Sequence, residues 1–343
     1  MRIGELDVFD DGDFARFYDV YAAANRAGRE HADTWALLEL RAAHRAPSAA
    51  VERRTWLGRV DGAVVAVGGV ELPLMDNTDL VELDAAVAPG HRRRGYGRAM
   101  ARHLCAEAHR TGRRLATCWV FGGMLDDAGQ LVERSPGSHF CTALGLTERN
   151  TDVHRMLDLP VADELLTDLA NEAAPHRQAY SLISWTDPCP DEHVAAYCAL
   201  KEAMIAEAPL GDLELEPERW DEQRLREAEA ELAAMGRTRH VVVAVAADGA
   251  IVAHNEVLHA AHDPGRLYNW DTLVLPGHRG HRLGLAMKVA NLRRVQHQHP
   301  DGRELHTHNA KQNAPMVAVN DLLGFRPVEL VGEWQGELSA MTP

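Results

Sequence analysis

The chain has 343 residues, 46% of them hydrophobic and 25% charged, with a formal net charge of −15. That length suits two domains of about 150–170 residues each better than one. The acidic balance argues against a nucleic-acid-binding surface, and no apolar run reaches the roughly 18–20 residues of a membrane span. The charge fits a cationic small-molecule partner as well as plain solubility. The polar start Met1-Arg2-Ile3-Gly4-Glu5-Leu6-Asp7 lacks the apolar region of a signal peptide, so a cytoplasmic protein is expected. Cys105, Cys118, Cys141, Cys189 and Cys198 are odd in number and form no CxxC, and they read as buried small hydrophobes in a reducing compartment. Histidines are frequent and densest at His297, His299, His306 and His308. With no HExxH and no nearby cysteine, no metal site is expected.

In chain order, residues 2–8 read as a strand and 11–27 as a helix, with apolar spacing at Phe14, Phe17, Val20 and Tyr21. A looser helical region reaches Arg45. Strands follow at 54–60, 63–72 and 79–87, the first two joined by Asp61-Gly62, a strong hairpin signal. A basic, Gly-rich turn leads into a helix at 96–111 that stops at Gly112. A strand at 115–121, a long loop at 122–138, a short helix to Leu144 and a strand near 152–159 complete the first half. A linker with a helical piece occupies 160–178. The second half then gives a strand at 180–185, a helix at 191–207 and an acidic helical stretch at 211–235. Strands at 239–246, 251–260 and 267–275 follow, then a helix at 283–297, a strand at 304–309, a helix at 315–323 and a closing strand at 328–338. The expected domains are 1–160 and 179–343.

The two halves repeat one unit. An offset of 187 residues carries Asp61-Gly62 onto Asp248-Gly249 and Asp84 onto Asp271. It also carries Pro89-Gly90-His91-Arg92 onto Pro276-Gly277-His278-Arg279, and Ala99-Met100 onto Ala286-Met287. In both halves an apolar strand enters a turn of arginines and glycines that opens a helix. Unpaired N–H groups and the helix dipole make such a turn a ready site for a phosphate.

These turns carry a family resemblance. Each half resembles the GNAT acyltransferases, whose hallmark is (Arg/Gln)-x-x-Gly-x-(Gly/Ala) after a strand ending in a Val-x-Pro-like step. Arg92-Arg93-Arg94-Gly95-Tyr96-Gly97 matches in full, and Arg279-Gly280-His281-Arg282-Leu283-Gly284 matches except that Arg282 stands at the first glycine. The resemblance implies an α/β fold of two mixed, mostly antiparallel sheets flanked by helices. It also implies acetyl-CoA as cosubstrate, with CoA held by Val87, Arg92, Arg93, Arg94, Gly95, Tyr96, Gly97 and Arg98. Val274, Arg279, Gly280, His281, Arg282, Leu283, Gly284 and Asn313 are their counterparts in the second half. A small-molecule primary amine would attack the thioester directly. The tandem layout is similar to that of mycothiol synthase and some antibiotic-modifying acetyltransferases. The competing readings are a non-catalytic acyl-CoA-binding or regulatory protein and a protein-lysine acetyltransferase.

Asp84 and Asp271, equivalent by the repeat, are candidate general bases or structural carboxylates, and Glu82 shares the face of Asp84. Glu71 and Glu256 are weaker candidates. The family's thiolate-protonating tyrosine is replaced by Asn320 in the second half and Cys141 in the first. The acidic run from Asp212 to Glu222, with Trp220, could form an amine pocket or a solvated helix face. The cleaner asparagine and Gly324-Phe325 signature favours the second half for chemistry.

Overall fold

The computed structural model describes residues 1–126 and 131–342. The chain forms two compact units. The first comprises Met1–Asp152, Leu210–Leu215 and the stretch from Glu329 onward, and the second comprises Val153–Pro209 and Glu216–Val328. The closing residues, which sequence places in the second half, therefore pack in the first unit.

The first unit runs β1 (Arg2–Glu5), α1 (Asp11–Arg26), α2 (Leu37–Arg45), β2 (Val51–Val60), β3 (Ala63–Pro73), β4 (Leu80–Val87), α3 (Tyr96–Arg110), β5 (Leu115–Leu125), β6 (Leu131–Glu133) and α4 (Pro136–Leu144). Then β7 (Thr147–Asp158) begins. Strands β1 to β5 lie side by side in chain order, and residues 330–337 of the last strand pair with β5. All neighbours are antiparallel except β4 and β5, which are parallel. Asp61 and Gly62, both at positive φ, make the tight turn that the right-handed twist of β2 and β3 favours. The loop expected at 122–138 is shorter than the sequence suggests. β5 continues to Leu125 and pairs with β6, while the centre of that stretch lies outside the described residues.

Asp10 caps α1 by accepting from the Asp13 N–H at 2.8 Å, and the helix buries Phe14, Phe17 and Val20 against Leu57 and Val67. Each buried phenylalanine contributes about 2 kcal/mol. On the opposite face of the sheet, α3 packs Met100 and Leu104 against Val65 and Val81. Gly68 permits that approach, because a Cβ there would lie 2.8 Å from Met100 and 3.1 Å from the Asp84 carbonyl oxygen. The even positions of β4 face the α1 side, with Ala86 in its core, and Val81 and Val87 face α3.

The second unit takes the end of β7, then α5 (Asp163–Ala173), β8 (Tyr180–Thr186), α6 (Val194–Glu207), α7 (Glu222–Ala234), β9 (Arg237–Ala246), β10 (Ile251–Ala260), β11 (Arg266–Val274), α8 (Leu283–Gln298), β12 (Glu304–Ala310), α9 (Ala314–Leu323) and the start of β13 (Arg326–Glu337). Strands β8 to β12 lie in chain order and β7 borders β12. Strands β8 to β11 pair antiparallel, and β11 pairs parallel with β12. The acidic stretch at 211–235 is not one helix. Helix α7 starts at Glu222, where the Asp221 carboxylate caps the Arg224 N–H at 2.8 Å. All five cysteines are buried free thiols. Among the described residues no helix is long and apolar enough to cross a membrane.

Candidate active site

Parallel neighbours part company at the same place in each unit. Strands β4 and β5 pair only at Leu80–Leu115, Val81–Ala116 and Glu82–Thr117. Strands β11 and β12 pair only at Arg266–Glu304, Leu267–Leu305 and Tyr268–His306. Beyond those pairs one edge of β4 and of β11 is released from its ladder, and its backbone N–H and C=O groups can bind a ligand. Each released strand runs straight into the arginine-glycine turn.

The two turns share one backbone path with the residues exchanged. Positive φ falls at Arg93 (62°) and Gly95 (82°) in the first, and at Gly280 (84°) and Arg282 (53°) in the second. Left-handed backbone disfavours a side chain by about 1–2 kcal/mol, so each turn places one glycine and one arginine at its two demanding positions. Arg282, which departs from the glycine pattern in the sequence, therefore sits in a turn of the same backbone path. Arg92 and Arg279 brace the turns from behind. Their Nε atoms donate to the carbonyls of Val87 at 3.2 Å and Val274 at 3.1 Å. Tyr96 packs partly buried against the α3 core, and Leu283 is fully buried at the start of α8.

The outward charges differ. Arg93, Arg94 and Arg98 are exposed and make no side-chain ion pair among the described residues. In the second turn Arg279 pairs with Glu207 at 2.6 Å and Arg282 with Glu172, while His281 Nδ1 bonds the His176 carbonyl at 3.1 Å. The first turn presents free positive charge, whereas the second is neutralised by its own unit.

The carboxylates repeat this contrast. Glu71 lies directly opposite Glu82 across β3 and β4, and Asp84 follows on the same face. Arg53 pairs with Glu71 at 3.2 Å, and no cation pairs with Glu82 or Asp84 among the described residues. Burial, with Glu71 and Asp84 repelling it, pushes the Glu82 carboxyl up to about 8. Burial and Glu71 push Asp84 up to about 6. Asp84 keeps solvent-accessible surface while protein crowds its other sides, as a residue on a cleft wall does. Both groups titrate where a base for an ammonium must.

In the second unit the ammonium is built in. Lys201 of α6 donates to Asp271 at 2.6 Å and to Glu256 at 3.1 Å. Tyr197 donates to Glu256 Oε1 at 2.7 Å, His254 Nδ1 lies 3.1 Å from the same oxygen, and Arg239 stands 3.6 Å from Oε2. Burial disfavours the Lys201 charge, but Asp271 and Glu256 outweigh it and hold the ammonium above its usual range. Lys201 and Glu256 are buried, while the Asp271 side chain stays 19% exposed.

Residues 14–123, from α1 into β5, match the acetyltransferase (GNAT) family. Across 98% of both chains the protein is similar, at 27% identity and a TM-score of 0.79, to a tandem GNAT protein from the clavulanic acid biosynthesis pathway. The family match lies in the first unit, and the likeness to a tandem GNAT protein spans the whole chain. A GCN5-related N-acetyltransferase from Sphaerobacter thermophilus shares the fold at 14% identity, with 98% and 95% of the two chains covered and a TM-score of 0.65. A glucosamine N-acetyltransferase region of a fungal multi-domain β-N-acetylglucosaminidase also shares it, at 10% identity and a TM-score of 0.64. That match covers 98% of this chain and 38% of the other. No curated protein matches the chain by sequence.

The remaining candidates are committed elsewhere in the structure. Asn320 is fully buried. Its oxygen accepts from Lys288 at 2.8 Å and its nitrogen donates to Asn309 at 2.5 Å. Burial pushes the Lys288 ammonium down to about 7. Asn313 caps α9 by accepting from the Met316 N–H at 3.3 Å. Cys141 is buried with its sulfur 3.5 Å from that of Cys118 on β5. Of the acidic run, Asp221, Glu222 and Trp220 line a cavity of about 380 Å³ with Asp191 and Glu202. The ring of Trp220 is covered by Lys201 at 5.3 Å and Arg224 at 4.6 Å. His306 bonds His154 at 2.8 Å, and His299 bonds His240 at 2.8 Å and stacks on His259. Sequence reasoning missed Lys201, whose place in an ordinary helix carries no signal of its partner 70 residues away. It also missed the pairing of Glu71 with Glu82 across β3 and β4, whose connection at 74–79 carries no turn signal that fixes the register.

Proposed function

We propose that this chain transfers the acetyl group of acetyl-CoA to the primary amine of a small molecule, and that the first unit carries the reaction. One contrast supports the assignment. Arg93, Arg94 and Arg98 are open to an anion, and Glu82 and Asp84 are open to a cation. In the second unit the turn arginines Arg279 and Arg282 are paired with Glu207 and Glu172, Asp271, the counterpart of Asp84, is paired with Lys201, and Asn269 stands in place of Glu82.

The N–H groups opening α3 and the three free arginines suit the CoA pyrophosphate. The β4 edge beyond Glu82 suits an amide-bearing arm laid along it. Acetyl-CoA supplies an activated carbonyl. Asp84, with Glu82 beside it, takes the proton that the incoming ammonium must lose before its nitrogen can attack. The N–C bond then forms as the C–S bond breaks, and the proton that the acylated nitrogen still sheds passes to the departing thiolate, so CoA leaves as the free thiol. Holding amine and thioester together is the larger part of the catalysis.

The test is thiol release from acetyl-CoA with a panel of amines that includes aminoglycosides and cysteinyl sugars, run on the intact chain and on Asp84→Asn. Turnover that depends on Asp84 is the expected result. A second reading, acyl-CoA binding without turnover, draws on the absence of a hydroxyl at both Cys141 and Asn320. Tight acetyl-CoA binding with no turnover on the whole panel would establish it instead.

A further inference from the structure

The repeat lets each unit be read through the other. Asp271 stands where Asp84 stands, and it holds a primary ammonium on a four-carbon arm, Lys201, at 2.6 Å. In the second unit two carboxylates, Asp271 and Glu256, are met by two cations, Lys201 and Arg239. The first unit sets Glu71, Glu82 and Asp84 together and, among the described residues, answers them with Arg53 alone, which pairs with Glu71.

We propose that the acceptor of the first unit carries two cationic centres, one of them the reacting primary ammonium at Asp84 and the other a second cation that Glu82 receives. The proposal rests on the N-acetyltransfer reading and adds the substrate class. Two adjacent uncompensated carboxylates at one cleft wall would repel each other if both were ionised. One ammonium satisfies one of them, and the second becomes charged only when a second cation arrives. The charged and titratable groups around the pair leave that demand unmet. Glu71 of β3 and Glu333 of the last strand are acidic, Arg53 of β2 is already paired, and Tyr21 of α1 and Cys118 of β5 bring no positive charge. Uptake of a dication therefore couples to loss of the proton that Glu82 holds near neutrality.

The experiment titrates the full chain at pH 7 with 1,4-diaminobutane, 1-aminobutane and 1,4-butanediol by calorimetry, in buffers of different ionisation enthalpy. Thiol release from acetyl-CoA is measured in parallel. The diamine is expected to bind about tenfold tighter than the monoamine, the equivalent of one partly screened charge pair at about 1.4 kcal/mol. Its binding should release protons, and the diol should not bind. Glu82→Gln, checked for an unchanged melting temperature, should shrink the preference below about threefold. Equal affinity for diamine and monoamine, or no binding of either, overturns the proposal. Thiol release at equal efficiency from the two amines overturns it while leaving N-acetyl transfer standing. A diamine preference with no thiol release from any amine supports the dication site and overturns the acetyl-transfer reading instead.

Discussion

Replacing Lys201 with methionine tests whether the second unit's acceptor position is filled from within. Methionine keeps most of the arm and removes the ammonium that bonds Asp271 at 2.6 Å and Glu256 at 3.1 Å. Glu256 retains Arg239, Tyr197 and His254, but Asp271 is left without a cation. Breaking a buried ion pair from one side costs about 3–5 kcal/mol. The Asp271 side chain is 19% exposed, so water relieves part of that cost and about 3 kcal/mol is expected. In a domain of this size each kcal/mol moves the melting temperature by about 2–4 °C, which gives a fall of about 6–12 °C by calorimetry. Lys201→Met with Asp271→Asn removes both charges and should recover at least half of the loss. Lys201 is held above its usual range, so its contribution is complete below about pH 10.5 and is lost as pH rises through the higher folded value. A single variant within about 0.5 kcal/mol of the parent, or a double variant no better than the single, would refute the reasoning.

The remaining predictions concern titration. Asp84→Asn should lower kcat about 10²-fold, the usual scale for removing a positioned base, with little change in melting temperature. In the parent enzyme kcat/KM should climb from pH 5 to pH 8 as carboxyls near 6 and 8 lose their protons, and Asp84→Asn should erase the lower step. A flat profile would remove both groups from the mechanism. Burial, together with nearby histidines, holds His240 at about 3 and His299 at about 4. Depressed histidines stabilise the fold above their unfolded value of about 6.5 and lose that contribution as pH falls. Between pH 6.5 and 5 the mostly buried His240 should cost about 2 kcal/mol, read as a drop in urea midpoint that His240→Gln reduces.

The duplicated fold was largely legible because its signals are local. The 187-residue offset, the Asp-Gly hairpins and the strand-turn-helix step all lie in short stretches whose backbone demands are strict. What escaped depends on distant partners. Residues 211–221 look helical by composition, yet Asp221 starts α7 by capping it, and Glu214 is drawn to Arg114 at 3.2 Å. The last strand carries the alternation of a strand in either half, and only its pairing with β5 assigns residues 330–337 to the first unit. At the site, Arg282 was visible as a departure from the glycine pattern. Its acceptability follows from the exchange of Gly95 and Arg93 for Arg282 and Gly280 along one backbone path. The preference for the second half rested on Asn313 and Gly324-Phe325, and Asn313 and Gly324 are the two caps of α9. The charges that distinguish the halves come from Glu172, Glu207 and Lys201, on helices whose facing no short motif reveals.

Acetyl-CoA binding tests the assignment of the first unit most directly. Calorimetric titration of the full chain should give one site per chain. Arg93→Gln/Arg94→Gln/Arg98→Gln should weaken it about 10–100-fold, at roughly 0.5–1 kcal/mol for each exposed contact to a phosphate. Arg279→Gln/Arg282→Gln should leave the affinity unchanged. Binding that survives the first triple variant and disappears in the second double variant would place the cofactor, and with it the reaction, in the other unit.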